Sequence, residues 1–332
     1  MSVTANQGSV AAGKAMFRKH CSLCHIHGDI GVQIGPNLTG MAVHPKAEML
    51  TNILDPSRSV EGNFRTYSVL TTDGVVLTGM LAGESKTSVE LINTQGKRET
   101  VLREDIEQLT ASTKSLMPEG FESQMTREEM SDLLEFLTSK GKYLPLSIET
   151  VATVSSGRGL FTKQTSFVER MIFEDWNPKM VGEIPFLVVD PQAGVKPNIV
   201  MLRGPKNSLS ANLPTEVELV CNARVAAIHL LSGVGGWSYP ASKEKSVSII
   251  VRLIYADGQT EDHPMLNGVH MADYIRKVEV PESKFAFELN NGHQIRTITI
   301  KPQRDVALTG LKLIKGPDNT APIVMAVTIE SP

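Results

Sequence analysis

Cysteine, tryptophan and a dominant sign of charge are all scarce in this chain of 332 residues: it has three cysteines, two tryptophans, and 33 Lys+Arg against 36 Asp+Glu. Each scarcity excludes something. Three cysteines fall short of a four-cysteine zinc site, and Cys221 lies far along the chain from the other two, so a zinc reading would have to borrow His20 and His27. A formal net charge of -3 supplies no basic field for nucleic acid or an anionic membrane surface. No apolar run reaches about 18 residues, so no transmembrane segment is expected. The opening MSVTANQGSVAAGK lacks an apolar h-region and does not read as a secretory signal.

What remains is ordinary for a soluble globular protein, with 41% hydrophobic and 21% charged residues. The length calls for two or three folding units. There is no internal repeat and no low-complexity tract. Helical spacing is expected over residues 9–20 and 45–54, the second helix stopping before Pro56. The period then changes to alternation over 67–70, 75–81, 88–92 and 99–102, with turns at Asp73-Gly74, Gly83-Glu84 and Gln95-Gly96. A small β-meander or barrel inserted at about 64–110 follows from that pattern. A helix returns over 126–140, where Thr126 and Glu129 spell a capping box ahead of Met130, Leu133, Leu134 and Leu137. The stretch GKYLPLSIET breaks it, so the division falls at 1–142, a linker at 143–150, and 151–332.

Beyond 151 nearly every segment alternates: 186–189, 198–202, 217–220, 226–231, 247–255, 277–280, 285–289, 294–301, 308–314 and 323–329. Many short strands with Asp257-Gly258 and Asn291-Gly292 turns predict an antiparallel β-sandwich. Cys221, in a predicted strand, reads as a buried free thiol.

The segment with the most specific chemistry is CSLCH. Cys21, Cys24 and His25 form C-x-x-C-H, the attachment signature of a covalent haem c: two thiols that add to the haem vinyl groups and an adjacent imidazole that serves as proximal ligand. A redox C-x-x-C would follow a strand and open a helix, whereas these cysteines follow a helix and run into a glycine-rich loop. For the second axial position, Met117 stands in SLMPEG, a loop that Pro118 stiffens just before the last helix of this half. Met41, Met49 and Met80 are the alternatives among fourteen methionines.

CSLCH, GPNLTG (35–40), LDPSRSV (54–60), TDGVVLTGML (72–81) and SLMPEG (115–120) together resemble the haem-binding domain of planctomycete and verrucomicrobial type, a cytochrome c-like domain, over residues 9–142. The resemblance implies a helical haem domain interrupted by the β insertion. It implies covalent haem at Cys21 and Cys24, His25 proximal and Met117 distal. It also implies that Gly35 lets the chain pass close to the haem and that the Pro36 carbonyl accepts a hydrogen bond from His25. Members of the family commonly sit at the end of large exported proteins bearing a sugar-dehydrogenase-like propeller, which is not seen in this sequence, so the resemblance implies a separate redox partner protein such as an exported dehydrogenase. Residues 151–332 more weakly resemble galactose-binding-like, carbohydrate-binding sandwich modules through EDWNPKMVGEIPFLVVDP (174–191). That points to a polysaccharide partner, with Trp176, Trp237 and Tyr239 as candidate glycan contacts, and to a structural calcium of unnamed ligands.

The sequence thus reads as a multidomain α+β and all-β chain whose function is electron transfer by one six-coordinate haem. A five-coordinate haem enzyme or a gas or redox sensor is one alternative, and a carbohydrate-binding protein with a subsidiary haem is another. No nucleophile elbow, phosphate loop, H-E-x-x-H helix or EF-hand loop occurs. Asp262, His263, His270, Asp273 and Tyr274 gather in one stretch, but their spacing fits no metal template and is expected to serve hydrogen bonding. Covalent haem attachment implies a periplasmic, cell-surface or extracellular protein, and the missing signal then implies a mature or excised fragment.

Overall fold

The computed structural model describes residues 3–28, 30–32, 34–60, 64–236 and 245–332. The chain divides into two compact units, Met1–Ser139 and Lys140–Pro332.

In the first unit, helix α1 (Val10–His20) starts where the Ser9 side chain accepts from the Ala12 N–H, and ends with Arg18, Lys19 and His20 in its last turn. Both ends suit the helix dipole and its unpaired amides. Helix α2 (Lys46–Leu54) turns Met49 inward. Helix α3 (Arg127–Thr138) carries the expected capping box, with Thr126 N donating to Glu129 Oε2 at 2.7 Å and Glu129 N to Thr126 Oγ1 at 3.1 Å. At Gly13, α1 approaches α3 so closely that a Cβ would stand 1.9 Å from the Asp132 carbonyl oxygen. Phe17, Met49, Met130, Leu133, Leu134 and Leu137 form the core between the helices.

A short hairpin of β1 (Ile26–His27) and β2 (Ile30–Gly31) follows the cysteines. The alternating region becomes a five-stranded antiparallel sheet of β3 (Thr66–Thr71), β4 (Val76–Glu84), β5 (Ser88–Ile92), β6 (Arg98–Leu102) and β7 (Ile106–Ala111), in the order β6-β5-β4-β3-β7. It has its own core of Val69, Val89, Leu91 and Val101.

This corrects the expectation of a cytochrome c-like helical haem domain. The structure is 36% strand and 15% helical, with three α-helices of 11, 9 and 12 residues among the described residues. The alternating run is a full sheet with a core of its own, so it counts as half of the unit's architecture. Two helices with sharp end signals gave the sequence a more helical look than the intervening strands allow. Strand β7 was missed because only Ile106 in it is even half-buried, which erases the alternation.

The second unit opens with β8 (Tyr143–Leu146), inside the stretch expected to be a linker; its apolar residues pair with the last strand of the chain. A small hairpin, β9 (Lys179–Val181) and β10 (Ile184–Phe186), precedes β11 (Val200–Met201). Then come β12 (Glu216–Ala223), β13 (Ala227–Gly235), β14 (Val247–Tyr255), β15 (Thr260–Leu266), β16 (Lys284–Glu288), β17 (Gln294–Ile300), β18 (Leu308–Lys315) and β19 (Ala321–Glu330). Strands β11, β19, β13, β17 and β16 make one sheet, with β8 also pairing β19; β12, β18, β14 and β15 make the other. All ladders are antiparallel, and the two-sheet arrangement is sandwich-like. Every residue of β13 is buried, and all but the last of β19. Residues 277–280, expected to be a strand, are not one: the Gln294 side-chain amide donates to the carbonyls of Asp273, Arg276 and Val278 at 2.8, 2.7 and 3.3 Å, replacing a ladder.

Candidate cofactor site

The C-x-x-C-H residues lie on an extra turn at the end of α1. Cys21 N donates to Phe17 O, Cys24 N to Cys21 O and His25 N to Cys21 O, at 2.8, 3.0 and 2.9 Å. That winding keeps positions 21, 24 and 25 on one side of the chain. The Cys24 carbonyl then accepts from Ile34 N and Gly35 N at 3.0 and 2.7 Å, folding the next loop back over the turn. Cys21 packs against the helical core, while Cys24 packs against a separate cluster of Ile34, Met80, Ala82 and Ile92 that includes sheet residues. The two thiols therefore border different apolar walls.

The His25 ring is fixed from two sides. Its Nδ1 is 2.8 Å from the Pro36 carbonyl oxygen. A carbonyl can only accept, so Nδ1 carries the proton and Nε2 holds the free lone pair. A Cβ on Gly35 would lie 2.7 Å from His25 Cε1 and 3.1 Å from Nδ1, so the loop can hug the ring only as glycine. Burial lowers the His25 pKa, partly countered by the Pro36 bond, which favours the neutral, ligating form. The rest of GPNLTG holds this geometry: Thr39 N donates to Asn37 Oδ1 at 2.9 Å, Leu38 N to Ile26 O at 2.7 Å, and Gly28 N to Thr39 Oγ1 at 2.9 Å.

Two partly open hollows adjoin the ring, with about 570 and 1,110 Å³ of space when the solvent at their mouths is counted. Cys21, His25, Pro36, Phe64, Ser115 and Met117 line both of them. Of the alternative methionines, Met80 lines only the first, and Met41 and Met49 only the second. The carrying loop of Met117 bends inward through a bond from Met117 N to Ser115 Oγ at 3.1 Å.

These residues fit a covalently held haem. The lining is largely apolar, the imidazole offers Nε2, and a thioether borders the same space. His20 Nε2, in the wall of the first hollow, is a buried polar atom without a hydrogen-bond partner. Burial, then the neighbouring Cys24, pushes the Cys21 thiol up to about 12, and burial raises Cys24 as well. Neither is therefore a thiolate nucleophile at neutral pH, which fits a redox dithiol poorly. Among the described residues no group of three or more His, Cys, Asp or Glu could hold a metal ion.

In the second unit, Trp176 is half-buried and packs edge-on to Phe173 at 5.5 Å, and Trp237 and Tyr239 lie outside the described residues. The side chains of 262–274 have ordinary partners. Asp262 takes two bonds from Arg252 at 2.6 and 2.7 Å, His263 Nε2 meets Glu261 at 2.5 Å, and His270 Nδ1 accepts from Leu266 N at 3.1 Å. Asp273 and Tyr274 are buried; Asp273 accepts from Ile275 N, and the Tyr274 hydroxyl donates to Glu169 O, each at 2.7 Å. Cys221 is a buried free thiol, and burial pushes it up to about 12.

Sequence reasoning missed Phe64, Ile34 and Phe121, which line the first hollow, and Ser57, which touches the Met117 loop. Only the motif LDPSRSV hinted at the last. A scan against protein-family models gives no match, and neither does a search of curated proteins.

Proposed function

We propose that the first unit holds one covalent haem c and serves in electron transfer. When bound, the haem would supply a one-electron redox centre. Cys21 and Cys24 would anchor it, His25 Nε2 would be the proximal ligand, and Met117 the distal one. The observation that carries this reading is convergence: Cys21, His25 and Met117 all line both hollows, and Pro36 holds the imidazole in the ligating tautomer. If His25 and Met117 both held the iron, no position would be left for substrate, which favours a carrier over an enzyme. Its partner would be a redox protein outside the cytoplasm, such as an exported dehydrogenase. The sandwich-like unit would act as a carbohydrate-binding module.

The ligand assignment is tested on the full chain produced in a host that exports it and attaches haem covalently. The ferric protein is expected to show the red-region charge-transfer band of a sulfur–iron bond. Met117→Ala should abolish that band and open the reduced protein to carbon monoxide, while Met41→Leu, Met49→Leu and Met80→Leu leave it in place. Loss of the band in one of those three, with Met117→Ala unchanged, would move the ligand elsewhere.

A further inference from the structure

We propose that Ser57 is the positioning residue for the Met117 thioether, through one hydroxyl that brackets the loop on both sides of it. The inference rests on the haem reading above. Helix α2 ends at Leu54 and passes into a turn in which Arg58 N donates to Asp55 O at 3.2 Å, with Pro56 restricting the backbone just before Ser57. Ser57 Oγ accepts from Ser115 N at 3.2 Å and donates to Glu119 Oε1 at 2.9 Å. The two bonds grip the loop two residues before and two residues after Met117. Lys114 Nζ reaches the same Glu119 oxygen at 2.7 Å and closes the neck of the loop.

Inside the loop, the bond from Met117 N to Ser115 Oγ shapes the bend without fixing where the bend sits. Among the described residues, the hydrogen bonds that tie positions 115–119 to another element are the two made by Ser57. Leu116 adds apolar contact with the cluster around Met80. A hydroxyl is needed because the position must accept from an amide and donate to a carboxylate at once, which neither alanine nor a carboxylate can do. The motif LDPSRSV thereby gains a role: a helix end, a proline and a serine that hold the distal loop at a fixed distance from the wall containing Met49.

The test compares full-length, haem-loaded wild type with Ser57→Ala, Ser57→Thr and Glu119→Ala. Ser57→Ala is expected to weaken the ferric sulfur–iron band and to raise the fraction of reduced protein that binds carbon monoxide about thirtyfold, the effect of losing two ordinary hydrogen bonds. Ser57→Thr keeps the hydroxyl and should restore both signals. Glu119→Ala breaks one of the two bonds and should fall between wild type and Ser57→Ala. If Ser57→Ala does not fold, Glu119→Ala alone carries the test. A wild-type band and wild-type carbon monoxide binding in the folded variants would overturn the proposal while leaving Met117 as ligand. Absence of the band from wild type would instead overturn the ligand assignment, and this proposal with it.

Discussion

The two units fill their interiors in opposite ways. In the second, β13 is buried at every position, and Phe186, Ile199, Met201, Leu231, Ile295 and Ile323 belong to one continuous cluster with no more than traces of exposure. In the first, the described apolar residues gather in small separate clusters, among them the helical one around Phe17 and Leu134, the sheet core around Val69, and the group of Ile34, Met80 and Ile92. Space remains beside them, and the chemically specific residues face that space. A close-packed interior gains dispersion energy from contacts on all sides, whereas the lining of a void forfeits it. The difference teaches where the proposed haem would act: its apolar faces would supply the contacts that the hollows beside these clusters lack, whereas the core of the second unit is filled by its own side chains.

The comparison breaks most visibly if the anchors are removed. On the proposed haem reading, Cys21→Ser with Cys24→Ser prevents covalent attachment and lowers the unfolding temperature of the first unit by many degrees, with the second unit's transition unmoved in calorimetry. Equal shifts in both would end the claim that only one unit depends on its occupant. The mirror experiment is Lys196→Met. Lys196 and Glu149 form a buried ion pair at 3.1 Å in the second unit, and removing one partner should cost about 3–5 kcal/mol there alone, read by chemical denaturation.

A smaller effect sharpens the site itself. Gly35→Ala puts a methyl 2.7 Å from His25 Cε1, so the ring or the loop must move. A loss of about 1–3 kcal/mol is expected, as for overpacking elsewhere, together with a changed haem spectrum. An unperturbed spectrum would mean the loop yields and the ring does not depend on it.

The smallest expected effect is a pH dependence in the second unit. Burial lowers the pKa of His229, His270 and His293 below the ordinary histidine value of about 6.5. The unfolded chain therefore binds more protons, and stability rises with pH. Their contribution is whole above about 6.5 and is lost as the pH falls through that value toward the depressed folded values. His293 is buried with Nδ1 unpartnered, so its protonation is especially unwelcome. The second unit's unfolding temperature should drop between pH 7.5 and 5.5, and His293→Asn should flatten the slope. A flat wild-type profile would contradict this.

Legibility in the sequence followed range. C-x-x-C-H is local, and so are the capping box at Thr126 and the alternation of β5 and β14, whose bounds the sequence located to the residue. The architecture of the first unit was misjudged because two well-marked helices outweighed a sheet whose edge strand β7 shows no alternation. The polar cluster of Asp262, His263, His270, Asp273 and Tyr274 was legible as hydrogen bonding on a strand-loop-strand segment, but its partners were not: Asp262 bonds across the sheet to Arg252, and His263 along β15 to Glu261. Ser57 was invisible for a different reason: its partners at 115 and 119 are 58 and 62 residues away, and no periodicity encodes such a bond. Pro36 was legible only through a family resemblance, since nothing in GPNLTG alone assigns its carbonyl to a histidine 11 residues earlier.

The central claim is that Cys21 and Cys24 are haem anchors, and its most direct measurement is the mass of the full chain after export from a host with covalent haem attachment. The intact protein should exceed its sequence mass by one haem that denaturation does not remove. The added mass should localise to the proteolytic fragment containing both cysteines and vanish in the Cys21→Ser, Cys24→Ser variant. A chain of bare sequence mass, produced where a known c-type cytochrome is loaded in parallel, would contradict the account.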